Sequence, residues 1–114
     1  MNYKWEIFIA GLNPVIGSEQ KGARPVMIIS DEDFNMVMPV VTILPITSLK
    51  EGRRVYPNEV LLKEGAGGLT QDSIILAHQI RTISKQRLKD SLGFINDYST
   101  RKAINDALKV HLNL

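Results

Sequence analysis

Cysteine is absent from this sequence of 114 residues, which excludes disulfide bonds, cysteine-ligated zinc sites and thiol nucleophiles together. Histidine occurs only twice, at positions 78 and 111, and neither lies near the acidic run "DED" at residues 31–33. A metal site needs clustered carboxylates and histidines, so we expect this run to be solvated. The sequence therefore predicts neither a metal nor any other cofactor.

Long apolar runs are also missing. No stretch approaches the ~18 residues of a membrane span, and the N-terminus lacks the pattern of a signal peptide. The length favours one domain, residues 1–114, and 44% hydrophobic with 23% charged residues is typical of a globular protein. We expect a cytoplasmic protein without membrane association. Its net charge of +2 permits a nucleic-acid partner without requiring one.

Six short segments have the residue patterns of β-strands. They are residues 5–10, 24–30, 39–47, 58–63, 73–83 and 91–95. The first alternates, whereas the second and third are nearly continuous apolar runs, as expected for strands buried on both faces. We interpret residues 31–38 as a solvated connection and residues 84–88 as one helical turn.

The C-terminal segment, residues 97–114, has the pattern of a helix, with Asp97 or Ser99 available as N-cap. Its predicted buried face consists of Ile104, Ala107, Leu108 and Leu112. Six strands separated by polar, glycine-containing loops and followed by one helix predict an α+β fold that is mainly β. We expect a small twisted sheet or partly open barrel.

A polar loop, residues 11–23, leads directly into a strand that begins with Arg24 and Pro25. Because the planar guanidinium fork matches phosphate oxygens, Arg24 at a strand mouth is a candidate phosphate ligand. Thr47 ends the next apolar strand and is a second candidate. The spacing leaves open an alternative, in which Arg24 forms a structural ion pair with Glu19.

Other polar side chains contribute less specific signals. Further cations and hydrogen-bonding groups are Lys21, Lys50, Arg53, Arg54, Gln79 and Arg81. His78 and His111 are expected to be packed structural residues rather than catalysts. Ser18 lacks the G-x-S-x-G surroundings of a hydrolase nucleophile, and no phosphate-binding glycine motif is present.

Three segments form a recognisable set of motifs: "NPVIGSEQKGARPVMII" at 13–29, "ITS" at 46–48 and "QDSIILAHQIRTISKQRL" at 71–88. Together they resemble the MazF/PemK (Kid) family of toxin–antitoxin ribonucleases, and with the final helix the resemblance covers nearly the whole chain. It implies a small SH3-like barrel of the CcdB/PemK type with a C-terminal helix. It also implies a homodimer that cleaves single-stranded RNA, acts as an mRNA interferase without a metal, and is neutralised by a cognate antitoxin.

The resemblance assigns roles to individual residues. Arg24 and Thr47 match the family's active arginine and threonine, Glu19 and Gln20 match loop residues that hold RNA, and Gln79 matches a base-contacting position. We expect residues 13–23 to form a mobile flap, with Glu19 accepting the proton of the RNA 2′-OH. The expected RNA-binding residues are Ser18, Gln20, Lys21, Lys50, Arg53, Arg54, His78, Gln79 and Arg81.

Two positions depart from the family pattern. Lys4, Trp5 and Glu6 stand where members often carry Arg-Gly-Asp, and His78 stands where some close relatives carry glutamate. The second change bears on the cleaved sequence more than on the chemistry. Fold alone also admits a CcdB-like non-enzymatic toxin that binds DNA gyrase, or a passive SH3-like RNA-binding module.

Overall fold

A computed structural model describes residues 3–114 as an antiparallel sheet of seven strands with a C-terminal helix. The strands are β1 Glu6–Gly11, β2 Ala23–Ile28, β3 Val40–Ser48, β4 Glu59–Leu62, β5 Ser73–Leu76, β6 Arg81–Ser84 and β7 Leu88–Phe94. The helices are α1 Glu32–Val37 and α2 Tyr98–Leu112, and short 3-10 turns span Ala66–Gly68, Ala77–Gln79 and Lys85–Arg87. The predicted α+β fold, mainly β, is confirmed.

The strands follow the order β4-β5-β3-β2-β1-β7, and β6 pairs with β3 beside this path. The sheet formed by the described residues does not close into a barrel. β3 is the central strand of the sheet. Its first half pairs with β6, and its last three residues pair with β5. Its middle, Ile43–Pro45, pairs with β2, which brings the beginning of β2 close to the end of β3.

Two clusters of buried side chains cover the two faces of the sheet. One cluster contains Met27 and Leu44 and is covered by Ile104 and Ala107 of α2. The other contains the next residues along the same strands, among them Ile28 and Ile43. The prediction that β2 and β3 are buried on both faces is therefore confirmed. Full burial stabilises the fold by about 1.5–3 kcal/mol for each such side chain.

Residues 31–38 are largely exposed to solvent, as predicted, but they are not an irregular connection. They contain the short helix α1, and Asp31 acts as its N-cap by accepting a hydrogen bond from the Asp33 amide at 3.1 Å. Asn35 is buried and donates to the carbonyl oxygen of Ser30 at 2.8 Å. The acidic run is thus a helix start, since carboxylates satisfy the free amides of a first turn.

The segment predicted as one long strand, residues 73–83, is interrupted. β5 ends at Leu76, a 3-10 turn spans Ala77–Gln79, and β6 begins at Arg81. Both strands pair with β3, at its two ends, so the chain between them has to turn. The helical turn that follows is confirmed at Lys85–Arg87, and the last strand is longer than predicted, from Leu88 to Phe94.

α2 begins where the sequence indicated. Asp97 is the N-cap and accepts a hydrogen bond from the Thr100 amide at 2.9 Å. Ile104 and Ala107 are buried, whereas Leu112 is exposed, so the buried face is narrower than predicted. None of the helices within residues 3–114 is long and apolar enough to cross a membrane.

Trp5 has a left-handed backbone, with φ of 73°, at the position where the family often carries glycine. Its amide donates to the Ile28 carbonyl at 2.8 Å, and its carbonyl accepts from the Ile95 amide at 2.9 Å. This conformation costs a residue other than glycine about 1–2 kcal/mol. Packing against the α2-side core and cation–π contacts with Lys4 and Arg101 offset that cost, so β1 forms without the glycine.

Candidate active site

Arg24 and Thr47 meet at the edge where β2 begins and β3 ends. Nη1 of Arg24 donates to Oγ1 of Thr47 at 3.4 Å, and Nε of Arg24 donates to the Lys21 carbonyl at 2.9 Å. Both side chains are half-buried. The ion pair between Arg24 and Glu19 that the spacing left open is not formed, since Oε1 of Glu19 accepts from the Ile16 amide at 2.6 Å. Arg24 therefore presents its charge next to a hydroxyl.

These two residues line a cavity of about 280 Å³, which we call the Arg24 cavity. Its other polar lining comes from Ser48, Thr70, Gln71 and Ser73. Nε2 of Gln71 donates to Oγ of Ser48 at 3.3 Å, and Oγ of Ser73 donates to the Gln71 carbonyl at 2.9 Å. Sequence reasoning did not select these four residues, although three of them, Ser48, Gln71 and Ser73, lie in the segments "ITS" and "QDS".

Gly68 forms part of the wall of the Arg24 cavity through close backbone contact. Its φ is +80°, and a Cβ atom there would lie 1.9 Å from the carbonyl oxygen of Leu92. Only glycine, which has no Cβ atom, allows the backbone at position 68 to lie this close to β7. The 3-10 turn that contains Gly68 is consequently seated directly on β7 beside Arg24.

The flap, residues 13–23, is anchored by Gln79. The Gln20 amide donates to Oε1 of Gln79 at 2.8 Å, and Nε2 of Gln79 donates to the Ser18 carbonyl at 3.2 Å. Both ends of the Gln79 amide thus bind flap backbone. Base reading by Gln79 stays a prediction, and it requires these two hydrogen bonds to exchange for bonds to RNA.

A second cavity of about 370 Å³, the flap cavity, lies under this anchor. Its lining residues are Ile16, Ser18, Glu19, Gln20, Pro45, His78, Gln79, Ile80 and Arg81. It brings together six of the predicted site residues, which come from the flap and from the chain around the Ala77–Gln79 turn. Nη1 of Arg81 is held at the base of the flap by the Leu12 carbonyl at 3.3 Å.

The remaining predicted cations differ in their surroundings. Lys21, Lys50 and Arg54 are exposed, and Arg54 lies over the Tyr56 ring at 5.3 Å from its centroid. Arg53 instead forms a two-pronged ion pair with Glu59, at 3.0 and 2.8 Å. Its side chain is thus already bound to protein, whereas the other three are free of protein carboxylates in the part of the chain that the structure describes.

Glu59 was not among the site residues predicted from the sequence. Its side chain is only 2% exposed, and its carboxylate also accepts from the Tyr56 amide at 3.0 Å and contacts Nε2 of His78 at 2.8 Å. The hydrogen bonds from Arg53, opposed by burial and supported by Tyr56 and His78, lower the pKa of Glu59 from 4.5 to about 2. Glu59 is therefore ionised at neutral pH.

Arg53, Tyr56, Glu59 and His78 form what we call the Glu59 cluster. We expect it to make the free energy of unfolding depend on pH. Because the folded pKa lies below the unfolded value, the carboxylate stabilises the fold fully above pH 4.5, and this contribution disappears as the pH falls toward 2. A shift of that size corresponds to about 3 kcal/mol. Urea unfolding of the unchanged protein and of Glu59→Gln should differ most at pH 7 and converge at low pH. A constant difference from pH 7 to pH 2 would contradict this assignment.

Within residues 3–114, no three histidine, aspartate or glutamate side chains are grouped closely enough to hold a metal ion. The Arg24 cavity presents one guanidinium together with several hydroxyls and one side-chain amide. Such a set binds and polarises an anionic group.

Comparison with known proteins identifies the family of this chain. Residues 3–112 match the model of a family described as the PemK-like, MazF-like toxins of type II toxin–antitoxin systems. The chain belongs to this family.

Relatives of known name match over the full chain. This chain is 37% identical to a protein of Staphylococcus saprophyticus named Endoribonuclease MazF. The match extends over 114 residues and covers all of this chain and 93% of the relative. Among solved structures, it is similar to a mycobacterial endoribonuclease in complex with its cognate antitoxin, with a TM-score of 0.80, 26% identity, and coverage of 100% and 97%. It is also similar to the Mycobacterium tuberculosis toxin MazF-mt6, with a TM-score of 0.77, 28% identity, and coverage of 96% and 97%.

Proposed function

We propose that this protein is a sequence-specific endoribonuclease toxin that acts on single-stranded RNA in the cytoplasm. The observation that supports this best is the contact of Arg24 with Thr47 at 3.4 Å in the wall of the Arg24 cavity. The whole-chain relative named an endoribonuclease supports the same activity. Incubating the purified protein with a mixed RNA pool and separating the products on a gel tests it directly.

The proposed reaction uses the RNA's own 2′-OH as nucleophile. Its oxygen attacks the adjacent phosphorus, the bond to the 5′-oxygen of the next nucleotide breaks, and a 2′,3′-cyclic phosphate and a free 5′-OH result. The protein has to align the groups and stabilise the negative charge of the phosphorane. Arg24 supplies a fixed positive charge, and Thr47 supplies a hydroxyl that binds a phosphate oxygen.

Two protons also move in this reaction: a base accepts one from the 2′-OH, and the departing 5′-oxygen takes one up from solvent water. A guanidinium does not release its proton at neutral pH, so Arg24 is unsuitable as the base. We propose Glu19 for this role, because it lies in the flap and, among the described residues, its carboxylate accepts a hydrogen bond only from the exposed Ile16 amide. A movement of the flap toward the substrate would bring it to the 2′-OH.

RNA would extend from the Arg24 cavity over exposed cations. The exposed cations Lys21, Lys50 and Arg54 would contact phosphates, while the flap and Gln79 would read base edges of an unstacked strand. Arg53 supports this surface indirectly, because its ion pair with Glu59 fixes the loop between Lys50 and Tyr56.

We also propose a cognate antitoxin as the partner that neutralises the protein. One of the similar structures is a complex of an endoribonuclease with its cognate antitoxin. The exposed cations here would suit an acidic, disordered segment that becomes ordered on binding. Such a segment would compete with RNA for the same surface.

A homodimer is the expected assembly, and α1 offers an apolar surface for it. Phe34 is 62% and Val37 is 77% exposed, and Met36 and Met38 are also exposed. Side chains of this kind are normally covered in a two-fold interface. We expect sedimentation at micromolar concentration to show a dimer, and Val37→Asp to shift it toward monomer. A monomer that retains full activity at nanomolar concentration would contradict a requirement for the dimer.

The gel experiment also separates the competing functions. A passive RNA-binding module would retain RNA without cutting it, and a gyrase-binding toxin would do neither. Cleavage at a limited set of sequences, without added cofactor, is the result expected from the proposal.

A further inference from the structure

The two ring nitrogens of His78 have different surroundings. Nε2 lies 2.8 Å from Oε2 of Glu59, and the same carboxylate accepts hydrogen bonds from Arg53 and from the Tyr56 amide. An ionised carboxylate only accepts hydrogen bonds, so Nε2 of His78 must carry a hydrogen. Neutral His78 is therefore fixed as the Nε2–H tautomer. Its other nitrogen, Nδ1, is then an acceptor.

Nδ1 of His78 has no hydrogen-bonding partner among residues 3–114. The side chain is 30% exposed and forms part of the wall of the flap cavity, next to Gln79 and Gln20. On the α2 side, the ring of His111 packs edge-on with its centroid 6.4 Å away. His78 is thus oriented by its hydrogen bond to Glu59, with the His111 ring packed beside it, and one acceptor is left for a ligand.

We propose that Nδ1 of His78 accepts a hydrogen bond from one base of the RNA and so selects adenine or cytosine at that nucleotide. Glu59 is the positioning residue that fixes the tautomer. This inference rests on the proposed function, because it presupposes that RNA enters the flap cavity.

The selection follows from the exocyclic groups of the bases. On the base edge formed by N7 or C5, adenine and cytosine present an amine, N6 or N4, whereas guanine and uracil present a carbonyl oxygen, O6 or O4. The selection applies to a base that turns this edge toward His78, because on the Watson–Crick edge the N1–H of guanine and the N3–H of uracil also donate hydrogen bonds. An acceptor facing an amine gains a hydrogen bond, and an acceptor facing a carbonyl leaves both groups unpaired. One neutral hydrogen bond corresponds to about three- to tenfold in preference.

The cut sites in a random RNA pool test this selection. The unchanged protein should prefer adenine or cytosine at one position by about three- to tenfold. His78→Phe keeps a flat ring but removes the acceptor, so the preference should disappear at that position alone. His111→Phe is the matched control, since it changes the neighbouring ring, and its cut sites should be unchanged. Identical cut sites for the His78 variant and the unchanged protein would overturn the inference.

Nitrogen NMR of the imidazole rings tests the tautomer without any RNA. In the unchanged protein, Nε2 of His78 should be the protonated nitrogen of the neutral ring. In Glu59→Gln the side-chain amide can donate instead, and the hydrogen should move to Nδ1, which reverses the preference toward guanine or uracil. A ring protonated at Nδ1 in the unchanged protein overturns the inference even if RNA is cut. If the unchanged protein cuts no RNA, the proposed function fails, and the NMR result still decides the tautomer.

Discussion

Replacing Arg24 with alanine is expected to lower the rate of RNA cleavage by about 10²–10³-fold, the usual loss when one preorganised charge-stabilising donor is removed. The side chain lies where β2 begins, and within residues 3–114 its guanidinium forms hydrogen bonds only with Thr47 and the Lys21 carbonyl. It makes no ion pair among the described residues whose loss would leave a buried charge. The fold should therefore survive, and growth arrest on expression should be abolished. Single-turnover cleavage of a short RNA measures the effect.

Two further variants make this result specific. Thr47→Ala should also abolish growth arrest, because it removes the hydroxyl next to the Arg24 guanidinium. Lys89→Ala removes an exposed cation of β7 that lines neither cavity, and its activity should be unchanged. Circular dichroism confirms that each variant is folded. Undiminished cleavage by folded Arg24→Ala would show that the phosphorane is stabilised elsewhere.

A single 2′-deoxy sugar immediately before the cut is expected to make an RNA substrate resistant. The proposed chemistry takes its nucleophile from the substrate. Removal of that one hydroxyl therefore eliminates the reaction and leaves the affinity for the protein largely unchanged. The deoxy substrate should still compete with normal RNA for the protein, since its phosphates and bases are unchanged. Comparing cleavage and competition in one assay separates chemistry from affinity.

The products give a second check on the same mechanism. The downstream fragment should begin with a free 5′-OH, and the upstream fragment should end in a 2′,3′-cyclic phosphate. A chelator should leave the rate unchanged, because the proposed mechanism needs no metal-bound water. A 5′-phosphate, or comparable cleavage of the deoxy substrate, would instead indicate water or a protein group as the nucleophile.

The positions of Arg24 and Thr47 could be predicted because each stands at an end of a continuous apolar run. Burial of such a run fixes where the strand begins or ends. Their contact at 3.4 Å depends on the antiparallel pairing of β2 with β3, which places the beginning of one strand near the end of the other. Sequence patterns indicate the strands, but the pairing is a long-range property.

The break at Ala77–Gln79 could not be predicted from periodicity. An apolar run of this kind fits one long strand as well as two short ones, and the choice depends on which partner strand is available. Here β3 offers pairing at both of its ends, and the chain turns between them. The polar residues His78 and Gln79 within the run were the only local signal.

The Glu59 cluster was also beyond sequence reasoning. Its carboxylate lies in a short strand, its partners Arg53 and His78 are far apart in the chain, and no motif links the three. Arg53 and His78 were predicted as RNA-binding residues, and His78 was also expected to be a packed structural residue. Their contacts with a buried carboxylate appear only once β4 is paired with β5.

Trp5 is the single tryptophan of the chain, and its place between Lys4 and Arg101 has a consequence for spectroscopy. Its fluorescence reports on the entry of β1 and on the helix turn that contains Arg101, whereas the Arg24 cavity is lined by other residues. A change in emission during titration with RNA would therefore signal a rearrangement at the α2 side. An unchanged emission during denaturation, while circular dichroism is lost, would reveal a folding unit that persists around this indole.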